Sequence, residues 1–373
     1  MIFDGHAYTF PSLKGAGGFQ DADQFRRHLQ QAIATHHQPV WRLRDRASGD
    51  NSGLIDLDNW PSLSALKEAR FRAAGLGRFE WTVDGEDYGK QYFPPSIEDM
   101  SYPAERLVAE MDYAGVDRAL LHRTPYLGIG NDFIVDCVAR FPDRLMGLAH
   151  VEEWRAALEP EACLAGLEAA VRRQGLCGLQ FLPPQLNLYG QRGPWDAPEF
   201  TPFWDGVANL GVPVFFSLKE RESPTLESFM SELATLSRWA RRYPDVKVVM
   251  THGLGWRSFM EGERISFPPQ AWEPFENPNL YLQFLFPIAL GAVWDYPMPQ
   301  VRPAIEECVR RIGADRIMWG TDMPIVMRFW TYGQNIDFIR EYCDFLSKEE
   351  LDAILGGTTF QLLGVDSTPT GDA

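Results

Sequence analysis

The sequence predicts an α/β fold, a distorted (β/α)8 TIM barrel in which parallel strands alternate with helices. Eight short apolar segments recur along the chain, and most of them follow a segment with helical periodicity. Their nearly continuous apolar character is typical of parallel strands buried on both faces. The length of 373 residues suits one barrel with an insertion. A doubly wound open sheet is the alternative, but the chain lacks the nucleotide-binding fingerprint that often accompanies it.

The predicted strands are short and mostly apolar. They lie at residues 1–3, 118–122, 144–151, 177–182, 212–218, 246–252, 280–286 and 316–322. Amphipathic helices are predicted before six of these strands, at 103–116, 131–142, 160–175, 200–211, 226–244 and 302–314. Residues 1–365 are therefore predicted to form a single barrel domain, and residues 366–373 a disordered tail.

The long segment between the first two strands, residues 9–102, is predicted to be a cap insertion at the barrel mouth. It contains a helix candidate at 21–37, with Asp23 as the N-cap, and a second at 62–74, with Ser62 before it. Residues 79–93 alternate around the dipeptide Asp84-Gly85, which predicts a hairpin. A segment that follows the carboxyl end of a barrel strand lies beside the active site, which favours a cap over a peripheral decoration.

Composition excludes several functional classes. The net charge of −16 argues against a nucleic-acid partner, because phosphate binding needs a basic surface. No apolar run reaches the roughly 18 residues that span a bilayer, and no signal peptide is evident, so a membrane partner is not expected. The five cysteines form no C-x-x-C pair, which favours reduced thiols in a cytoplasmic protein.

Chemistry in a barrel lies at the carboxyl ends of its strands, so the candidate site residues can be read from the predicted strand ends. Four of the seven histidines fall there, and the other three, His28, His36 and His37, are predicted to be solvated on the insertion. One such histidine is often only structural, whereas several on one rim indicate a site. The strand-end residues are His6, Tyr8, His122, Arg123, His150, Glu152, Gln180, Ser217, Lys219, Arg221, His252, Gln283 and Asp322, with Arg328 shortly after the last strand.

Seven segments carry a family resemblance. They are FDGH (3–6), MDYAGVDRALL (111–121), ARFPDRLMGLAHV (139–151), LGVPVFF (210–216), VVMTHGLG (248–255), RIMWGTDMP (316–324) and ILGGTTFQLLGV (354–365). Together they resemble the amidohydrolase superfamily, in the branch of aminocarboxymuconate-semialdehyde decarboxylase, resorcylate decarboxylases and related hydratases. They span most of the chain in order, and the segments containing MTHGLG and MWGTDMP are the most specific.

The resemblance implies a homodimer and usually one divalent metal. Its ligands would be a His-x-His pair on strand one, a histidine on strand five and an aspartate on strand eight, with a strand-six histidine as a catalytic helper. His6, His252 and Asp322 match this pattern. Tyr8 and Ser217 replace the second and third histidines, and Thr358 replaces an asparagine near the C-terminus.

These replacements favour a site without metal, because a neutral hydroxyl must lose its proton to bind a divalent ion well. Asp322 would then be the general base, with His252 and His6 as proton donors or shuttles. Tyr8 and Ser217 would donate hydrogen bonds in place of a Lewis acid. The alternative is one Zn²⁺ or Mn²⁺ held by His6 and Asp322, with other histidines recruited, namely His252 and His150.

Cations at strand ends of an acidic protein predict a carboxylate substrate. Arg123 is the predicted bidentate anchor for that carboxylate. For Lys219, Arg221 and Arg328 the alternative is a surface salt bridge. His150 and Gln180 complete the predicted substrate contacts. We therefore expect an enzyme acting on a small aromatic or unsaturated cyclic carboxylate by lactone-like hydrolysis, hydration or isomerisation. The alternatives are a metal-dependent decarboxylase and a non-catalytic ligand-binding barrel.

Overall fold

A ring of parallel strands forms the core of the computed structural model, which describes residues 1–221 and 225–365. The predicted tail at 366–373 lies outside these residues. The strands, in chain order, are β1 (Phe3–Ala7), β2 (Val40–Arg42), β3 (Ser48–Gly49), β4 (Arg72–Gly75), β5 (Arg78–Val83), β6 (Glu86–Gln91), β7 (Arg118–Leu121), β8 (Leu145–Gly147), β9 (Ala149–His150), β10 (Leu179–Phe181), β11 (Val214–Phe216), β12 (Val248–Met250), β13 (Met260–Glu261), β14 (Arg264–Ile265), β15 (Leu280–Phe284) and β16 (Ile317–Trp319).

The α-helices lie mainly between the parallel strands. They are α1 (Ala22–Thr35), α2 (Ala104–Ala114), α3 (Asn131–Arg140), α4 (Pro160–Glu168), α5 (Pro184–Leu188), α6 (Thr201–Leu210), α7 (Leu226–Arg242), α8 (Phe286–Leu290), α9 (Arg302–Ile312), α10 (Tyr332–Asp337), α11 (Lys348–Asp352) and α12 (Thr358–Leu363). Among the described helices, none is both long enough and apolar enough to cross a membrane.

The parallel strands form two sheets, ordered β1-β7-β8 and β16-β15-β12-β11-β10-β9, which meet at two seams. At one seam only Leu148 separates β8 from β9, and its amide donates to Leu121 O at 3.0 Å. At the other seam Asp322 N donates to His6 O at 2.8 Å, and Tyr8 N donates to Met323 O at 2.7 Å. These bonds join the two sheets into a distorted (β/α)8 barrel, as the sequence predicts.

The first strand lies further along the chain than predicted. Instead of residues 1–3 it spans Phe3–Ala7, so that Asp4 and His6 lie within it and are fully buried. Asp4 tolerates burial because its carboxylate accepts hydrogen bonds from Thr321 Oγ1 and, at 2.7 Å, from Tyr332 Oη. Apolar patterning alone ends the first strand at Phe3. The strand in fact continues through Asp4 and His6, because these polar side chains have hydrogen-bond partners inside the barrel.

The insertion contributes helix α1 and an antiparallel sheet ordered β3-β2-β6-β5-β4. The predicted hairpin is confirmed, since β5 and β6 pair around Asp84 and Gly85, whose φ angles are 51° and 79°. Two left-handed residues are what a type I′ turn requires. Of the two helices predicted in the insertion, the first is present and the second is not.

The N-cap of helix α1 lies two residues earlier than predicted, at Asp21 and not at Asp23. The Asp21 carboxylate accepts from Gln24 N at 2.8 Å, while Asp23 lies in the first turn and pairs with Arg26. The second predicted helix, at 62–74, is wrong.

Only Leu63–Ala65 forms a single 3₁₀ turn within that segment, which Ser62 caps, and β4 follows. Backbone bonds to the preceding segment take the place of a helix: Asp56 N donates to Ala65 O at 2.8 Å, and Lys67 N donates to Leu54 O at 3.0 Å. Long-range pairing thus overrides a helical pattern.

Candidate active site

A cavity of about 440 Å³ opens at the carboxyl ends of the barrel strands, between them and the insertion. Residues of the insertion form one wall, namely Gln31, Ala32, Thr35, His36, Trp60, Pro61 and Tyr92. The barrel side carries polar groups, among them Thr124, Asn187, Ser217, Lys219, Glu220, Arg221, His252, Arg257 and Ser258. The insertion therefore borders the cavity where chemistry is expected in this fold.

His6 stands behind this cavity in a network of short contacts. Its Nδ1 lies 2.7 Å from Gln283 Oε1, and its Nε2 lies 2.9 Å from the Tyr8 hydroxyl. The ring stacks on His122, with ring centroids 3.5 Å apart. Burial and the neighbouring rings of His122 and His252 lower the pKa of His6 well below its ordinary value, so the imidazole is neutral.

Asp322 faces the same imidazole. Its Oδ1 lies 3.4 Å from His6 Nε2, and its side chain is only 5% exposed. Burial raises the pKa of this carboxyl from 3.8 to about 7, with Arg328 opposing the shift and Asp4 adding to it. A carboxyl with this pKa changes protonation state near neutral pH, as a general acid or base must.

His252 lies on the cavity wall and completes the cluster predicted from the sequence. One ligand atom from each of His6, His252 and Asp322 lies within 4.8 Å of the others. Burial, and then the charge of Lys219, lower the pKa of His252 to about 4, so this imidazole is also neutral near pH 7. His252 and Asp322 have left-handed backbones, with φ angles of 62° and 68°, a strain that clusters at functional sites.

The two hydroxyls that replace the family's histidines have different roles. Burial, and then the charge of Asp322, raise the pKa of Tyr8 well above its ordinary value, so its hydroxyl keeps its proton and can donate it. Ser217 Oγ lies 2.7 Å from Thr251 Oγ1, whose own proton goes to Phe216 O. Ser217 therefore donates to Thr251 and presents only lone pairs to the cavity, which corrects the predicted donor role.

Lys219, Arg221 and Arg257 border the cavity. Lys219 is the cation that follows the predicted strand end, and its ammonium has no ion-pair partner within 4.0 Å among the described residues. Desolvation by the surrounding residues lowers the pKa of Lys219, and the charge of Glu220 opposes the shift. Arg221 Nη1 lies 3.5 Å from Glu232, and its Nε donates to Asn187 Oδ1 at 2.7 Å. Arg221 is therefore held in a buried ion pair and not in the surface salt bridge that was the predicted alternative.

Four predicted substrate contacts, Tyr8, Arg123, Gln180 and His150, do not line this cavity. Arg123 is 1% exposed and lies toward the ring of Phe133, and its backbone amide donates to Gln180 Oε1. His150 Nε2 lies 3.2 Å from Glu153, beside a separate cavity. Arg123, Gln180 and His150 are strand-end residues, as predicted, but their side chains are enclosed by neighbouring segments that the sequence pattern does not reveal.

The sequence-based prediction placed three histidines of the insertion in solvent, and two of them are buried or partly buried. His36 was expected to be solvated, yet it borders the cavity and accepts from Arg328 Nη1 at 3.0 Å. His28, also expected to be solvated, is buried against Tyr189 Oη at 3.0 Å, whereas His37 is exposed. His36 reaches the site because the insertion packs against the barrel mouth. Such packing leaves no signal in the local sequence, so sequence reasoning could not have identified His36.

Comparison with known proteins identifies the family. A family model described as Amidohydrolase matches residues 33–365. An L-fucono-1,5-lactonase from Burkholderia ambifaria is 26% identical over 149 residues, which are 38% of this chain and 49% of the lactonase. A 2-amino-3-carboxymuconate-6-semialdehyde decarboxylase from Dictyostelium discoideum is 26% identical over 257 residues, which are 63% of this chain and 66% of that enzyme. The chain thus spans about half of the length of the first of these curated relatives and about two thirds of the second.

Solved structures support the fold. A probable 2-pyrone-4,6-dicarboxylic acid hydrolase from Acinetobacter baumannii, with citric acid bound, has a TM-score of 0.53 at 19% identity, over 71% of this chain and 90% of that chain. A dihydroxybenzoic acid decarboxylase from a Polaromonas species, with manganese bound, has a TM-score of 0.52 at 18% identity, over 71% of this chain and 87% of that chain. The chain belongs to the amidohydrolase family.

Proposed function

We propose that this protein is an enzyme that hydrolyses, hydrates or isomerises a small cyclic carboxylate by general acid–base catalysis, with lactone-like hydrolysis as the leading reaction. The observation that carries the proposal is the buried Asp322 carboxyl, with a pKa of about 7, 3.4 Å from His6 Nε2. Such a group takes a proton from water at neutral pH and returns it in a later step.

In this mechanism the ionised Asp322 carboxylate removes a proton from water, and the water oxygen attacks the substrate carbonyl. When the ring C–O bond breaks, protonated Asp322 returns the proton to the leaving oxygen. The neutral His252 imidazole at the cavity wall supplies a hydrogen bond to the charge that develops on the carbonyl oxygen, while the Tyr8 hydroxyl lies 2.9 Å from His6 Nε2.

A divalent ion is the alternative, and the donor set fits one. His6, His252 and Asp322 would hold it, since one ligand atom from each lies within 4.8 Å of the others, and it would supply Lewis-acid activation of water or substrate. Two features favour the reaction without metal. The Tyr8 hydroxyl already occupies the Nε2 side of His6 at 2.9 Å, and Ser217 offers no imidazole where the family's strand-five ligand would stand.

The expected substrate is a flat carboxylate. Aromatic rings line the cavity, those of Trp60, Tyr92, Tyr126, Phe229 and Trp256, and the Lys219 ammonium stands among them. A charge-assisted hydrogen bond from Lys219 to a substrate carboxylate replaces the anchor predicted at Arg123. Homodimerisation and a cytoplasmic location remain expectations from the sequence.

The direct test uses protein treated with a chelator and assayed against a panel of unsaturated and aromatic lactone carboxylates, beside hydroxybenzoate carboxylates. We expect hydrolysis of at least one lactone at a rate that neither chelation nor added Zn²⁺ or Mn²⁺ changes. Activity that appears only with added metal, or carbon dioxide release from the benzoates, would favour the metal-dependent decarboxylase instead. Saturable binding without turnover would favour the ligand-binding alternative.

Replacing Lys219 tests the carboxylate anchor. We expect Lys219→Met to raise KM by roughly tenfold to a hundredfold, the range for losing one charge-assisted hydrogen bond, with a smaller change in kcat. Steady-state kinetics against a substrate and its methyl ester measure this, because the ester should bind both proteins about equally. Lys348→Met, an exposed lysine at the start of α11, is the matched control. An unchanged KM in Lys219→Met would remove Lys219 from the substrate site.

A further inference from the structure

The Gln283 side chain has one hydrogen-bonding orientation only. Its Nε2 lies 2.7 Å from Gly5 O, and its Oε1 lies 2.7 Å from His6 Nδ1. A backbone carbonyl can only accept, so the amide nitrogen must face Gly5 and the amide oxygen must face His6. An amide oxygen can also only accept, and the proton between Gln283 and His6 therefore belongs to His6 Nδ1.

A neutral imidazole with its proton on Nδ1 has a bare lone pair on Nε2. That nitrogen faces the Tyr8 hydroxyl at 2.9 Å and Asp322 Oδ1 at 3.4 Å. With the opposite tautomer, the Nε2 proton would point at Tyr8 and Asp322, and a bare Nδ1 would face the Gln283 oxygen at 2.7 Å. Two facing lone pairs inside the barrel would be unfavourable, since neither could turn to water.

The plane of the His6 ring is fixed as well. His122 stacks on it with the rings 12° apart, and His122 Nε2 lies 2.9 Å from the same Gly5 carbonyl. Gly5 leaves room for this arrangement, because a Cβ there would lie 2.8 Å from Trp319 O and 3.2 Å from Gln283 Nε2. The Gly5 carbonyl therefore orients Gln283 on one side and His122 on the other.

We propose that Gln283 is a positioning residue that holds His6 as the Nδ1–H tautomer, so that the Nε2 lone pair is presented to Tyr8 and Asp322. The geometry assigns this role whether the lone pair meets a hydroxyl proton, a carboxyl proton or a metal ion, since an outer hydrogen bond fixes a histidine tautomer in each case. The kinetic consequence, but not the tautomer, rests on the proposed function.

The tautomer can be measured by two-dimensional NMR of protein labelled with ¹⁵N-histidine, with the His6 signals assigned by their loss in His6→Gln. In the wild type we expect a pyrrole-type Nδ1 and a pyridine-type Nε2. In Gln283→Leu we expect the proton to move to Nε2, toward Asp322. In Gln283→Glu the carboxyl can replace the amide only in its protonated form, with its hydroxyl donating to Gly5 O and its other oxygen accepting from His6 Nδ1, and the wild-type pattern should then persist. A wild-type proton on Nε2, or an unchanged pattern in Gln283→Leu, would overturn the proposal.

Gln30→Leu is the matched control, because Gln30 is another buried glutamine whose amide donates to Leu54 O and Lys67 O, within the insertion. It should leave the His6 pattern unchanged. In the kinetic arm, Gln283→Leu should lower kcat roughly tenfold to a hundredfold with KM unchanged, since Gln283 does not line the cavity. A tautomer switch in a protein with no turnover would refute the proposed function and leave the role of Gln283 intact.

Discussion

Asp322→Asn should lower kcat by roughly 10²- to 10⁴-fold, the usual contribution of a positioned general base. The amide keeps the size and shape of the carboxyl but neither gains nor loses a proton near pH 7, so it cannot act as a general base. Asp322 N would still donate to His6 O at 2.8 Å, so the seam between β1 and the end of β16 should persist. The loss should therefore appear in kcat while the variant remains folded.

The measurement compares kcat and KM of Asp322→Asn with those of Asp143→Asn, an exposed aspartate before β8 at the opposite end of the barrel. Circular dichroism of each variant checks that both remain folded. Asp143→Asn should behave as the wild type. Retention of more than about a tenth of wild-type kcat in Asp322→Asn would mean that another group activates the water, and His252 would become the leading candidate.

The strand-end argument placed residues correctly where their position follows from the barrel alone. His6, His252 and Asp322 lie at the ends of β1, β12 and β16, and parallel strands bring their carboxyl ends to one rim whatever connects them. Apolar patterning predicted those strands because each is buried on both faces. Position within the barrel, and not the surrounding contacts, therefore determines this part of the site.

The same argument failed where orientation depends on neighbouring segments. Arg123 is the second residue after β7, yet its guanidinium lies near Phe133 of α3 and does not reach the cavity. His36 reaches the cavity from the insertion, where it meets Arg328 from the far end of the chain. Sequence spacing fixes the direction of a side chain along a strand, but not which loop encloses it, because that depends on pairings between distant residues.

Asp322→Asn should also change how stability depends on pH. Burial raises the pKa of Asp322 from 3.8 to about 7, so between pH 4 and 7 the folded protein keeps a proton that the unfolded chain releases. Wild-type stability attributable to this group is therefore present below pH 4 and is lost progressively up to pH 7. Asparagine does not titrate, so the variant does not undergo this loss of stability between pH 4 and 7.

The free energy of unfolding of Asp322→Asn, relative to wild type, should thus rise between pH 4 and 7 and level off above pH 7. A shift of about three pH units sets the upper size of this rise at roughly 4 kcal/mol. Asp4, whose pKa burial raises to about 6, titrates in both proteins, so its contribution largely cancels in the difference. Urea unfolding of chelator-treated proteins at several pH values from 4.5 to 8.5 measures the effect. A difference that does not vary with pH would show that Asp322 ionises normally, and the acid–base mechanism would then lose its main physical support.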